Sequence, residues 1–258
     1  MISLDIALYG LYATIAVMLV AWLISIPLRD VSIVDVFWSV NLACAGLAYA
    51  WAQPALGSRG RLAITLVLIW AVRLAGHILR RNWGEPEDRR YRAMRDKREP
   101  GFWWKSLGIV FVLQAVIAWV ISLPILGGVG TTADLSWLDG LGLGLWILGF
   151  GFESVADFQL GRFLAQPERG SAVMDRGLWR YSRHPNYFGE FCLWWGIYLI
   201  ALAGGAWWTI VGPVLLTFFL LKVSGVALTE KDIAERRPEY REYVRRTSAF
   251  FPRPPTED

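Results

Sequence analysis

The sequence predicts an all-α, polytopic membrane protein with seven transmembrane helices. Apolar residues make up 55 % of the 258-residue chain, which holds 15 tryptophans and has a mean hydropathy of +0.39. A water-soluble fold of this size has too little interior to hide that much apolar surface. Seven apolar runs approach the roughly 20 residues that cross a hydrocarbon core. Basic residues, finally, collect on alternate loops, as they do in membrane proteins.

The runs lie near 6–28, 33–52, 61–79, 107–126, 138–160, 187–203 and 206–226. The first follows Met-Ile-Ser-Leu-Asp, which lacks the basic segment of a signal peptide, so this helix is expected to be retained. The second contains Asp35, Trp38 and Asn41, and the third Arg73 and His77. In the fifth, Gly140, Gly142, Gly144, Gly149 and Gly151 are read as close helix packing. They have no preceding strand, as a phosphate-binding loop would require. The sixth and seventh are separated only by Ala203-Gly204-Gly205-Ala206, a tight hairpin. The polar tail, from about Leu228 to Asp258, reads as two short amphipathic helices broken by Pro238.

Loop 80–105 is rich in arginine and lysine, from Arg80 to Lys105. Loop 161–186 adds Arg162, Arg169, Arg176, Arg180 and Arg183, and the tail runs from Lys231 to Arg253. The opposite side has Arg59 and Arg61. The expected topology therefore puts the amino terminus outside and the carboxyl terminus in the cytoplasm, which requires an odd number of spans. The net charge of +4 follows this loop pattern and does not indicate nucleic acid. Two cysteines, Cys44 and Cys192, both within apolar runs, exclude a disulfide framework and a cysteine-based metal site. With His77 and His184 as the two histidines, no metal centre is expected.

Ionisable groups inside spans are costly and point to function. Arg73 and His77 are four residues apart and share a helix face, as do Glu153 and Asp157. If the second and third spans are neighbours, Asp35 can meet His77 or Arg73. A plain Asp35–Arg73 ion pair is the structural alternative, but it would not need His77, the side chain suited to proton transfer near neutral pH. The stretch Arg180-Tyr181-Ser182-Arg183-His184-Pro185-Asn186-Tyr187-Phe188-Gly189-Glu190 enters the sixth span. Pro185 suits a helix start, whose free N–H groups beside Arg180 and Arg183 outline an anion site. Asn186 and Glu190, four apart, can present an amide and a carboxylate to one ligand.

This stretch, with Glu230 and Pro238-Glu239-Tyr240-Arg241-Glu242-Tyr243, resembles the steroid 5α-reductase superfamily, and more closely its bacterial branch described as a domain of unknown function. Isoprenylcysteine carboxyl methyltransferases, which bind S-adenosylmethionine, share an Arg-His-Pro-x-Tyr-x-Gly element and a similar tail. Two features favour the reductases. Glu153-Ser154-Val155-Ala156-Asp157 resembles their Asn-x-x-x-Asp, which holds the nicotinamide amide, although only Asp157 matches. Their substrate carbonyl is bound by a Gln-Glu pair and a Tyr, near which Val34-Asp35 and His77 fall here.

The resemblance implies NADPH-dependent reduction of an enone C=C bond in a lipid or 3-oxo-Δ4 steroid, with S-adenosylmethionine-dependent carboxyl methylation as the alternative. Asp35 and His77 are then the catalytic pair, and Trp38 and Asn41 line the substrate. Arg92, Glu153, Asp157, Arg162, Arg176, Arg180, Tyr181, Arg183, His184, Asn186, Tyr187, Glu190 and Glu230 serve the cofactor. The expected molecule is a monomer in a bacterial inner membrane, in contact with membrane lipids. Residues 1–258 form one membrane domain, with 1–126 on the substrate side and 127–258 on the cofactor side.

Overall fold

In a computed structural model, residues 4–170, 172–226, 230 and 239–256 are described. The chain is helical, with no strand among the described residues. Five helices are long and apolar enough to cross a membrane: α1 (Leu4–Leu28), α2 (Ile33–Trp51), α3 (Ser58–Asn82), α5 (Phe102–Ile121) and α7 (Trp137–Leu164). Between them lie the short helices α4 (Arg89–Arg98) and α6 (Leu123–Val129). Then follow α8 (Pro185–Ala203), the shorter apolar helix α9 (Trp207–Val223), and α10 (Tyr240–Arg246) in the tail. The protein is thus an integral membrane protein. Each expected run contains a helix, but the fourth starts earlier than expected and stops at Ile121. Pro124 then opens α6, where a missing N–H costs little. The first half of the tail, with Lys231, Arg236, Arg237 and Pro238, lies outside the described residues.

Two compact units make up the chain: Met1–Asp139 with Ile200–Gly212, and Gly140–Leu199 with Pro213–Asp258. Because residues 200–212 return to the first unit, the two are interleaved along the sequence.

In the first unit α1, α2, α3, α5 and α6 pack together. The basic loop 80–105 contains α4. Asp88 caps it, its carboxylate accepting from the Arg90 N–H at 2.9 Å. Such a cap contributes about 1 kcal/mol. Arg95, Lys97 and Arg98 in the last turn suit the negative end of the helix dipole. Tyr91 and, one turn on, Met94 anchor α4 in an apolar cluster with Val34, Phe102 and Phe111. Glu87 fastens the loop further, accepting from the Val31 N–H (2.9 Å) and from Arg95 (2.7 Å). Elsewhere in this unit Arg59 is 1 % exposed and grips both oxygens of Asp139 at 2.8 Å. Its other donors reach the carbonyls of Ala133 and Asp134.

In the second unit glycines set the helix spacing. A methyl group on Gly149 of α7 would stand 2.5 Å from the Gly189 carbonyl oxygen and the Leu193 nitrogen of α8. One on Gly189 would stand 2.5 Å from the Glu153 nitrogen. Gly196 meets Gly142 and Trp146 in the same way. The backbones of α7 and α8 therefore touch, as small residues allow in membrane helices. Gly140, Gly144 and Gly151 take no part, since nothing lies near them.

Candidate functional site

A cluster of candidate polar residues lies in each unit. In the first, Asp35 in the opening turn of α2 accepts from Arg90 Nη2 at 2.6 Å and from the Tyr91 hydroxyl at 2.7 Å. Gln114 of α5 approaches the phenol oxygen at 3.5 Å. Spacing pointed to His77 or Arg73 as the partner of Asp35, but both oxygens of this carboxylate are taken up by α4. The physical reason is the capped helix in the basic loop, which brings an arginine and a phenol to the first turn of α2. His77 and Arg73 are half-buried on α3 and engaged in interactions of their own. Burial, with the Asp35 charge beside it, pushes the Tyr91 phenol well above its usual range. Burial opposes the charge of Arg90, but Asp35 and Asp88 outweigh it and keep the guanidinium protonated. The result is a neutral phenol that donates to a carboxylate paired with an arginine. Trp38 is half-buried, whereas Asn41 is fully buried with neither amide atom hydrogen-bonded.

The second cluster is built on the α7–α8 contact. Because Gly149 and Gly189 let the two backbones meet, Asp157 and Asn186 come within hydrogen-bonding distance. Asn186 Nδ2 donates to Asp157 at 3.2 Å, and Asn186 Oδ1 is buried without a partner. Glu153 and Asp157 are both buried. Before α8, Arg183 donates to the two oxygens of Glu230 at 2.7 and 3.0 Å and to the carbonyls of Val244 and Thr247. Burial works against its charge, and Glu230 outweighs burial. His184 bonds the Ala249 carbonyl through Nδ1 at 3.0 Å, stands 3.6 Å from Glu230, and stacks on Tyr187. Burial holds its imidazole below the ordinary value of 6.5, against the upward pull of Ala249 and Glu230.

The tail closes around this loop. Ser182 donates to the Phe250 carbonyl (2.8 Å), the Arg183 N–H to Ser248 (2.8 Å), and the Arg253 N–H to Tyr181 (2.9 Å). The Tyr243 hydroxyl donates to the Trp179 carbonyl. Phe188, Phe191, Phe250 and Phe251 form an aromatic cluster.

The Asp157–Asn186 pair and the set of Arg183, His184, Tyr187 and Glu230 thus both fall within the second unit. Arg162, Arg176, Arg180 and Tyr181 are exposed on its surface, Arg162 lying over the Phe158 ring. Glu190 is half-buried and engaged. Arg92 belongs to the first unit, where it donates to the Glu87 carbonyl at 3.0 Å. Arg183 also differs from its expected part as a phosphate ligand, because Glu230 and two carbonyls use its donors. Sequence reasoning missed Arg90, Tyr91 and Gln114. The signal for the first two was Asp88, a capping residue ahead of a lone tyrosine in an arginine-rich loop.

A protein from the yeast Schizosaccharomyces pombe, described as "Uncharacterized protein C594.04c", is similar to this chain. It is 27 % identical over 274 residues, covering 91 % of this chain and 76 % of the yeast protein. No solved structure matches. A family model described as "Protein of unknown function (DUF1295)" matches residues 21–247. The match takes in both polar clusters, and the chain belongs to the DUF1295 family.

Proposed function

We propose that the protein is a membrane-embedded, NADPH-dependent reductase of an enone C=C bond in a lipid substrate, within the steroid 5α-reductase superfamily. The observation that carries this reading is the Asp157–Asn186 pair. Asp157 fixes the Asn186 amide by its nitrogen, leaving a buried acceptor without a donor. An unpaired buried acceptor costs about 1–3 kcal/mol, and the N–H of a carboxamide relieves it. That is the group the superfamily resemblance assigns to Asp157.

On this reading Asp157, Asn186 and Glu190 hold the nicotinamide end of the cofactor. The frame of Arg183, Glu230, His184 and Tyr187 orders the loop and tail around the rest, with Tyr181, Glu153, Arg162, Arg176 and Arg180 as further contacts. When bound, the reduced nicotinamide supplies a hydride for the β-carbon of the enone. Tyr91, which donates its one hydroxyl proton to Asp35 in the unliganded protein, turns that proton to the carbonyl oxygen as negative charge develops there, while Arg90 continues to hold Asp35. A fixed donor in a water-poor site is worth most at that moment. Tyr91 thereby takes the donor role that spacing gave to His77, which stays as the alternative donor. Trp38 and Asn41 line the substrate. The protein spans the bacterial inner membrane seven times as a monomer, with its amino terminus outside and its carboxyl terminus in the cytoplasm.

Purified protein is expected to bind NADPH, seen as protection against thermal unfolding and a shifted nicotinamide absorbance, and to reduce a 3-oxo-Δ4 steroid. Tyr91→Phe should lower turnover about 10²–10³-fold, the usual cost of one oxyanion donor, and spare NADPH binding. Parent-rate turnover by Tyr91→Phe together with a dead His77→Ala would return the donor role to His77. Protection by S-adenosylmethionine and not by NADPH would replace the reductase with the carboxyl methyltransferase suggested by Arg183-His184-Pro185.

A further inference from the structure

The tail of the second unit encloses an open cup of about 360 Å³ beside α10. Arg183, Arg245, Arg246 and Arg253 line it, with the hydroxyl residues Ser248 and Thr256 between them. No carboxylate lines it among the described residues. The four guanidiniums differ in commitment. Arg183 is matched by Glu230. Arg246 is partly matched at the surface by Asp175 (3.8 Å) and Glu242 (3.6 Å). The side chains of Arg245 and Arg253 have neither an acidic nor a hydrogen-bonding partner among the described residues.

The rim is also pre-formed. The Thr256 N–H donates to the Arg246 carbonyl at 3.1 Å, and the Arg253 N–H ties the returning chain to Tyr181. Arg183 covers the carbonyls of Val244 and Thr247. The negative end of α10 is therefore occupied, so an anion entering the cup meets guanidiniums and hydroxyls.

We propose that this cup binds the phosphate monoester of a soluble ligand, with Arg245 and Arg253 as the discriminating groups. Arginine forks match phosphate oxygens in pairs, and a dianionic monoester balances two uncompensated guanidiniums. Resting on the reductase reading, the ligand is the 2′-phosphate of NADPH. The tail arginines, not those of the loops around α7 and α8, then separate NADPH from NADH.

The test is thermal protection of the full-length protein in uncharged detergent, with NADPH, NADH, adenosine 2′,5′-bisphosphate and 5′-AMP. The 2′-phosphorylated member of each pair should bind at least tenfold more tightly. The Arg245→Ser/Arg253→Ser double variant should lose that preference while binding NADH as the parent does. Both side chains are solvent-facing, and the unliganded melting temperature checks that the variant folds. A double variant that keeps the preference overturns the cup and leaves the reductase reading intact. Binding of adenosine 2′,5′-bisphosphate that needs both arginines, in a protein that reduces no enone, does the reverse. A third arm compares nanodiscs of phosphatidylglycerol and phosphatidylcholine. Stabilisation by the anionic lipid that depends on Arg245 and Arg253, without nucleotide preference, overturns the proposal by assigning the arginines to headgroups.

Discussion

Two arginine–carboxylate forks, chemically alike, have different surroundings. Arg59 and Asp139 are 1 % and 2 % exposed. Every donor of Arg59 ends on Asp139 or on a loop carbonyl, and Ser136 supplies Asp139 with two further bonds. Among the described residues each side-chain nitrogen of Arg59 and both oxygens of Asp139 thus have a partner. Arg183 and Glu230 are just as fully engaged with one another and with the tail. Their neighbourhood, however, keeps spare capacity in Asn186 Oδ1 and in the side chains of Arg245 and Arg253. A buried ion pair is weak evidence of function by itself. The unused donors and acceptors beside it separate a clamp from a site.

Replacing both partners by apolar residues breaks the comparison most directly. Removing one partner of a buried pair strands a charge and costs about 3–5 kcal/mol, so Arg59→Ala should lower the melting temperature sharply, and Arg183→Ala by less, because Glu230 is 21 % exposed. Replacing a buried pair by apolar side chains is often neutral. Arg59→Met/Asp139→Leu should therefore recover stability and keep ligand binding. Arg183→Met/Glu230→Leu should lose NADPH protection even where it folds. Equal ligand binding by the two double variants would erase the distinction.

Asn41 sharpens it in the first unit. Both its amide atoms are buried without partners, a cost of about 1–3 kcal/mol for each group left unpaired. Asn41→Leu should raise thermal stability by an amount of that order and lower enone turnover. Higher stability with unchanged turnover would remove Asn41 from the substrate wall.

Asn186→Ala tests the spare acceptor of the second unit. NADPH affinity should fall about tenfold or more, which is about 1.4 kcal/mol, with little change in the melting temperature of the unliganded protein. Isothermal titration of the two proteins gives the ratio, and equal affinities would remove the Asp157–Asn186 pair from the cofactor site.

Much of this contrast was legible in the sequence wherever position along one helix decides it. Asp157 and Asn186 were visible as polar groups in or beside apolar runs, and Gly149 as a packing residue. Contacts made by loops were less so. Asp35 met Tyr91 and Arg90 because Asp88 caps a helix inside a loop read only for its charge. The tail arginines looked like topology markers, because the turn of Thr256 back onto α10 has no periodic signal. Periodicity reports which residues share a face, and it is silent on which loop folds over that face.

The smallest expected effect concerns His184, whose ring joins the loop to the tail. Burial depresses its pKa in the folded protein, so the folded state prefers the neutral ring. Above the ordinary value of 6.5 the ring is neutral in both states and stability is at its full level. As pH falls through that value the unfolded chain takes up the proton first, so stability declines until the folded-state pKa is passed. His184→Gln keeps a donor for the Ala249 carbonyl and removes the titration. Melting temperatures between about pH 8 and 5 should fall less steeply in that variant than in the parent. The same comparison in Arg59→Met/Asp139→Leu should retain the parent slope, since no histidine belongs to that fork. Parallel curves for the parent and His184→Gln would mean that another group sets the acid limit of the second unit.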